Sequence, residues 1–187
     1  MATASDSSTH LSSPADPPVA AEPPERLVLT IVAEDGDWSG FGAVEEPIQQ
    51  AAAALARHRQ LPSAHGREAS VVLGSDALVR RLNKTYRGKD ASTNVLSFPY
   101  QPPPGGAASD GAYLGDVVLA AETVRHEAAD RGIEPRHHLQ HLVVHGLLHL
   151  LGYDHQTEAA AEAMEGLEAE ILATIGVADP YAAPAAS

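Results

Sequence analysis

Short runs of β-branched and apolar residues alternate along the chain with longer stretches in which apolar residues recur at helical spacing. The short runs predict four strands, at residues 27–32, 70–73, 95–100 and 113–120. Pro99 indicates that the third strand lies at a sheet edge or ends there, because proline cannot donate to a strand ladder. With about five helices between the strands, the expected fold is a single α+β domain with a small mixed sheet.

Helix signals mark the longer stretches, which cover residues 45–60, 76–86, 121–131 and 135–151 and a last segment after Thr157. Ser75 and Thr157 are typical N-cap residues. Pro135 suits a first helical turn, and Gly132 and Gly152 suit the position just past a helix end. The last helix carries one apolar stripe, formed by Met164, Leu167, Ile171, Leu172 and Ile175.

The composition places the folded domain within residues 26–176. Residues 1–25 are rich in Ser, Ala and Pro and predict a disordered tail, residues 101–112 predict a flexible loop, and residues 177–187 predict a frayed end. The chain has no cysteine, which excludes disulfides and thiolate metal sites. Without a signal-like start or a run of roughly 18 apolar residues, we expect a soluble cytoplasmic protein.

Charge is distributed unevenly. The net charge of −13 argues against nucleic-acid binding by the whole surface. Residues 80–100, however, contain five basic residues and a single acid, Asp90. The five are Arg80, Arg81, Lys84, Arg87 and Lys89. This tract can bind a polyanion with a strongly salt-dependent affinity. The alternative is an ordinary solvated helix face.

The strongest candidate chemistry lies in the run HGLLHLLGYDH, residues 145–155. His145 and His149 are one helical turn apart on one face. Gly152 ends the helix, and the reversal of the chain can bring His155 toward them. Three converging imidazoles would form a tripodal zinc site with a fourth position open to water, as catalytic zinc sites have.

Neighbouring residues offer alternative ligands. His141, His145 and His149 share a helical stripe, but eight residues of helix rise about 12 Å. Zinc–nitrogen bonds are about 2 Å long, so one ion cannot reach both ends of that stripe. Asp154 remains an alternative ligand to His155, or a support for it.

Other residues near these motifs have a structural and a functional interpretation. His137, His138 and His141 are interpreted as solvated or helix-face histidines, with His141 the best candidate to support a ligand. Asp116 is either a partner that orients a ligand histidine or a plain strand-end carboxylate.

Polar and aromatic residues of the basic tract are also ambiguous. Asn94 and Ser97 either fix the strand end or touch substrate. Phe98 and Tyr100 could stack on bases, although Phe98 suits the core better.

The spacing H-x-x-x-H-x-x-G-x-x-H is shared with metzincin proteases, but Gly146 stands where they carry the general-base Glu. Together with NKTYRGKDASTNVLSFPY and LGDVVLA, the run HGLLHLLGYDH closely resembles the YbeY family of bacterial endoribonucleases, also called rRNA maturation factors. The three motifs occur in order within residues 68–175, and residues 1–25 and 101–112 lie outside the resemblance.

The resemblance implies a single-strand-specific, metal-dependent endoribonuclease that acts in 16S rRNA 3′-end maturation and ribosome quality control. It implies one zinc on His145, His149 and His155 and a functional role for Arg87 of the YRGKD motif. The implied partners are single-stranded RNA, the 16S rRNA precursor, and the small ribosomal subunit with its proteins or an assembly GTPase. Neither a membrane nor DNA is expected as a partner.

The chemistry of phosphodiester cleavage suits these residues. The Arg87 guanidinium can donate two hydrogen bonds to a phosphate, and Lys89, Arg80, Lys84 and Asn94 are further candidates for RNA contact. The nucleophile is either a water activated by zinc or the RNA 2′-hydroxyl, and the sequence leaves both open. The alternative functions are a ribosome-assembly factor with a mainly structural zinc and a zinc peptidase.

Overall fold

A computed structural model describes residues 27–61, 67–102 and 113–182. Its four strands are β1 (Val28–Ala33), β2 (Glu68–Gly74), β3 (Val95–Pro99) and β4 (Tyr113–Ala120). They form one sheet in the order β1-β2-β4-β3, in which β1, β2 and β4 are parallel and β3 is antiparallel to β4. The predicted α+β fold with a mixed sheet is confirmed, and Pro99 ends an edge strand as expected.

Five α-helices lie in the described ranges: α1 (Glu45–Ala56), α2 (Asp76–Arg87), α3 (Ala121–Arg131), α4 (Pro135–Leu150) and α5 (Glu158–Ala173). The predicted caps are confirmed, because Ser75 and Thr157 each accept a backbone N–H bond of 3.2 Å in the first turn of α2 and α5. Helix α1 ends four residues before the predicted bound. The polar residues 57–60 offer no apolar side chain to pack against the core, and packing supplies most helical stability.

The sheet separates two apolar clusters because alternate side chains of a strand point to opposite faces. Val117 and Leu119 of β4 are fully buried on the face covered by α1, α4 and α5. Val118 and Ala120 belong to a smaller cluster under α2. Asp116 is two residues before Val118 on the same strand, so its side chain lies on the same face, the one covered by α2.

Helix α4 is buried along most of its length, and it packs closely on β4. A Cβ placed on Gly146 would lie 2.6 Å from Cγ1 of Val117, so only glycine allows this approach. In the second half of the helix, His145 and His149 are half-buried while the residues between them are buried. The packing therefore fixes the helix and leaves these two imidazoles at its accessible side.

The folded domain continues beyond the predicted bound at residue 176. Val177 is buried in the main core, and the Tyr181 hydroxyl reaches the carboxylate of Glu168 on α5. Val177 and Tyr181, from the segment predicted to fray, therefore contact the folded domain. Residues 183–187, the predicted tail 1–25 and most of the predicted loop, 103–112, lie outside the described residues. Within the described ranges no helix is long and apolar enough to cross a membrane.

Candidate metal centre

Three imidazoles converge at the C-terminal end of α4. Nε2 of His145 and Nε2 of His149 are 3.1 Å apart. The His155 ring lies 5.7 Å from that of His145 and 5.1 Å from that of His149, measured between centroids. One nitrogen from each ring lies within 4.8 Å of the other two. This group can bind a metal ion.

A tight turn brings His155 back to the helix. Gly152 adopts φ +93°, a conformation that glycine takes at little cost. Its N–H donates to the His149 carbonyl, and the N–H of Tyr153 donates to the Leu148 carbonyl, both at 3.0 Å. These two bonds form a Schellman motif, which satisfies carbonyls at the helix end. The glycine bend predicted from the sequence therefore reverses the chain toward the two helical histidines.

Hydrogen bonds fix which nitrogen of each helical histidine faces the centre. Nδ1 of His149 lies 2.9 Å from the carbonyl oxygen of Tyr153, which can only accept, so Nδ1 carries the proton. Nδ1 of His145 donates in the same way to a carboxylate oxygen of Glu168 at 2.9 Å. Burial, reinforced by His145, lowers the pKa of His149 and keeps it neutral. Nε2 of His149 consequently presents a free lone pair, and Nε2 of His145 faces it.

The donor set fits zinc. Two nitrogens on a tetrahedral zinc, with bonds of about 2.05 Å, are about 3.3 Å apart, close to the 3.1 Å between the two Nε2 atoms. Neutral imidazoles held by partners on their other nitrogen are the usual ligands of such a site.

Glu168 is the site residue that the sequence did not single out. It is fully buried on α5, and its second carboxylate oxygen accepts a bond of 2.9 Å from Nε2 of His141. The available signal was its spacing from Met164 and Ile171, which places a carboxylate on the apolar stripe of the helix. His141, His145 and Glu168 form a second group that can bind a metal, and it shares His145 with the first.

Arg87 lies beside the histidine helix. Its guanidinium donates to the Ser97 carbonyl at 3.3 Å, and the Ser97 hydroxyl donates to the Gly146 carbonyl at 3.2 Å. Gly146 directly follows His145. The side chain of Arg87 is therefore held on β3, the strand bonded to the helix that bears His145, while the residue itself remains exposed.

The other basic residues are solvent-exposed. Asp90 lies between Arg80 and Lys84, at 2.7 and 2.9 Å from their nitrogens. These hydrogen bonds lower the pKa of Asp90 to about 2, so the carboxylate stays ionised. Arg80 and Lys84 are therefore partly neutralised in this structure, and Lys89 follows the exposed end of α2.

Two of the ambiguous residues belong to a hydrogen-bond network at the N-terminal end of α4. His138 is 1% exposed, so of its two structural interpretations, solvated or helix-face, the solvated one does not apply. Helix α3 covers it, and Glu127 lies 2.7 Å from its Nε2. Asn94 donates to the same carboxylate at 2.9 Å and accepts from the N–H of Val95. Asn94 thus fixes the start of β3, while His137 is half-buried on the same helix as His138.

Two predicted supports for the histidines lie elsewhere. Asp116 accepts a hydrogen bond of 2.7 Å from Tyr113 on the sheet face opposite α4, so it does not orient a site histidine. Asp154 accepts from the N–H of Gln156 in the turn and lies outside the metal-binding groups found among the described residues.

The aromatic residues near the basic tract divide between core and surface. Phe98 packs against the cluster under α2, edge-on to Tyr86 at 5.2 Å, in agreement with its core interpretation. Tyr100 is 42% exposed and Tyr86 is 68% exposed. The accessible aromatic faces are therefore those of Tyr86 and Tyr100.

Comparisons with known proteins identify the family of the chain. The family model described as Endoribonuclease YbeY matches residues 39–176. Three curated relatives carry the same name. The one from Parvibaculum lavamentivorans is 46% identical, with 84% of this chain and 86% of the relative covered. The one from Rhodopseudomonas palustris strain BisB18 is 48% identical, with 86% of this chain and 94% of the relative covered. The one from Azorhizobium caulinodans is 47% identical, with 85% of this chain and 99% of the relative covered.

A weaker structural likeness accompanies these matches. The solution structure of TM1509 from Thermotoga maritima covers 83% of this chain and 100% of its own, with a TM-score of 0.48 and 20% identity. The family model spans most of the chain, and the relatives are almost half identical over most of both lengths. The chain therefore belongs to the YbeY endoribonuclease family.

Proposed function

We propose that this protein is a single-strand-specific, zinc-dependent endoribonuclease that acts in maturation of the 16S rRNA 3′ end and in ribosome quality control. The observation that carries the proposal is the position of Arg87, held through Ser97 beside the helix that bears the three-histidine group. A guanidinium beside the helix that bears a metal-binding group suits cleavage of a phosphodiester, because it can donate to the phosphate. The names of the curated relatives support RNA as the substrate.

His145, His149 and His155 would hold the zinc. When bound, zinc can lower the pKa of water toward ~7 and polarise a phosphoryl oxygen. Arg87 remains protonated and can donate two hydrogen bonds to the phosphate as negative charge develops. Preorganised donors of this kind contribute about 3–4 kcal/mol to stabilisation of the transition state.

The histidine group is partly accessible to solvent, which favours a catalytic role for the metal over a structural one. His155 is exposed, and both helical histidines are only half-buried. A three-residue ligand set leaves a position for a non-protein ligand, whereas structural zinc usually has four protein ligands.

The close packing of Gly146 argues against a peptidase. In the metzincin pattern, the residue after the first histidine is the general-base Glu. Here that position faces β4, and even a Cβ would lie 2.6 Å from Val117. The helix therefore has no space for a carboxylate there.

We also propose that the catalytic domain begins near residue 26 and that the protein is cytoplasmic. Its partners would be the 16S rRNA precursor and the small ribosomal subunit with its proteins or an assembly GTPase. Arg80, Lys84 and Lys89 would contribute to RNA binding through their charge.

The test is cleavage of an end-labelled single-stranded RNA by the purified, zinc-loaded full chain. We expect cleavage that a chelator abolishes, that added zinc restores, and that is absent when the RNA is annealed to its complement. His149→Ala should be inactive, whereas His126→Ala on the exposed face of α3 should cleave normally. If the chelator-treated protein and His149→Ala both cleave the RNA as fast as the untreated, unmodified chain does, the proposal is refuted.

A further inference from the structure

Glu168 is a buried carboxylate in a position where an apolar residue would be expected. It is 0% exposed, and its neighbours on the same helix face include Met164, Ile171 and Leu172. Burial of an ionised carboxylate costs several kcal/mol unless hydrogen bonds and charges compensate it. The compensation therefore indicates what this residue does.

Both carboxylate oxygens of Glu168 are occupied. Oε1 accepts from Nδ1 of His145 at 2.9 Å, and Oε2 accepts from Nε2 of His141 at 2.9 Å and from the Tyr181 hydroxyl. Three donors, from α4 and from the segment after α5, therefore surround the buried carboxylate. The residue is thus a fixed acceptor.

We propose that Glu168 is a positioning residue for the metal centre and that Tyr181, from the segment after α5, holds Glu168 in place. The bond to Glu168 requires a proton on Nδ1 of His145. It therefore leaves Nε2, the nitrogen that faces His149, as the atom that can bind a metal. It also fixes the rotation of the imidazole ring. The inference rests on the proposed zinc site, because positioning matters only if His145 is a ligand.

The geometry favours positioning over direct ligation by Glu168. The His141/His145/Glu168 group would use Nδ1 of His145, the nitrogen turned away from the three-histidine group. The side chain of Glu168 is 1% exposed and that of His141 is 11% exposed, so substrate has little access to a metal there. Carboxylates that accept from the far nitrogen of a ligand histidine typically raise metal affinity or activity about 10- to 100-fold.

The experiment measures zinc affinity by competition with a chromogenic chelator, using the full chain. Glu168→Gln keeps the side-chain volume but removes the charge, and we expect its zinc affinity to fall about 10- to 100-fold. Tyr181→Phe, which removes a single hydroxyl, should show a smaller fall. Glu162→Gln, an exposed residue on α5, is the matched control and should bind zinc as the unmodified protein does.

A second readout separates positioning from a general structural role. Long-range ¹⁵N–¹H NMR of the metal-free proteins reports the tautomer of His145. We expect a single Nδ1–H tautomer in the unmodified chain and a mixture in Glu168→Gln. If Glu168→Gln does not fold, Tyr181→Phe provides both readouts.

Each other outcome has a definite meaning. Unchanged affinity and tautomer in the variants, with tight zinc binding by the unmodified chain, would overturn the inference and leave the proposed function intact. Loss of one of two zinc ions per chain in Glu168→Gln would make Glu168 a ligand and overturn it too. Absence of zinc binding by the unmodified chain would overturn both.

Discussion

The hydroxyl of Ser97 donates a 3.2 Å hydrogen bond to the carbonyl oxygen of Gly146. This bond joins the edge strand β3 to the histidine helix one residue after His145. Because the carbonyl of Ser97 also accepts from Arg87, one residue of β3 links the arginine to the helix that bears the candidate ligands. The testable consequences concern the arginine, the glycine, the basic tract and the buried histidine network.

Replacement of Arg87 should affect turnover more than metal binding. We expect Arg87→Ala to lower the rate of single-stranded RNA cleavage by about 100- to 1000-fold, because it removes a donor to the charge of the transition state. Arg87→Lys should restore little of the cleavage rate, since an ammonium cannot donate two parallel hydrogen bonds. Single-turnover kinetics at saturating RNA measure this, with Arg136→Lys as the exposed control. A normal rate in Arg87→Ala would show that the guanidinium has no part in the reaction.

The same substitution should have opposite effects at two helical glycines. Gly146→Ala places a methyl group 2.6 Å from Val117, and overpacking of this kind costs about 1–3 kcal/mol, more than the roughly 1 kcal/mol of improved helix propensity. Gly166→Ala in α5 meets no atom within 4 Å and should stabilise the protein by about 0.5–1 kcal/mol. Urea unfolding of the two variants checks the signs, and stabilisation by both would contradict the close packing of α4 on β4.

Removal of the negative charge at Asp90 should strengthen RNA binding. Asp90→Asn frees Arg80 and Lys84 from the carboxylate between them. Each freed cation that reaches a phosphate should steepen the plot of log affinity against log salt by about 0.7 for a single strand. Fluorescence anisotropy with a labelled RNA between roughly 50 and 200 mM salt measures this, with Asp130→Asn on α3 as the control. An unchanged slope would place the RNA away from this tract.

The buried His138 should make stability depend on pH. Burial, only partly offset by the hydrogen bond to Glu127, lowers the pKa of His138 below its ordinary value of 6.5. Between the folded and unfolded pKa values the unfolded chain binds more protons, so this contribution is complete above about pH 6.5 and is lost as the pH falls through the folded pKa.

Metal-free protein is the appropriate material, because it separates this effect from zinc binding. The free energy of unfolding should fall more between pH 7.5 and pH 5 in the unmodified chain than in His138→Gln, whose amide can still donate to Glu127. Urea unfolding across this pH range provides the comparison. A larger fall in the variant would mean that His138 is stabilised in its charged form.

Local signals predicted much of the fold. The caps at Ser75 and Thr157 act over three residues, and the bend at Gly152 is set by one residue's conformation, so the sequence suffices to predict them. The strand pairing depends on contacts between distant segments. The sequence predicted a mixed sheet, but it did not predict that β4 lies between β2 and β3.

The candidate site was predictable to a similar degree. The three histidines were predictable because helical periodicity and one turn bring them together. Glu168 and Tyr181 were not, because their partners on α4 lie 23 or more residues away and the acidic C-terminal region resembles a solvated surface. The burial of His138 was not predictable for the same reason, since the Glu127 that pairs with it belongs to another helix.

Zinc content tests the central claim most directly, that one ion is held by imidazoles from α4 and from the turn after it. Elemental analysis after gel filtration should find about one zinc per chain in the unmodified protein and in His126→Ala. His155→Ala should retain almost none, because two imidazoles on one helix are an incomplete ligand set. A full complement of zinc in His155→Ala, bound as tightly as in the unmodified chain, would contradict the account.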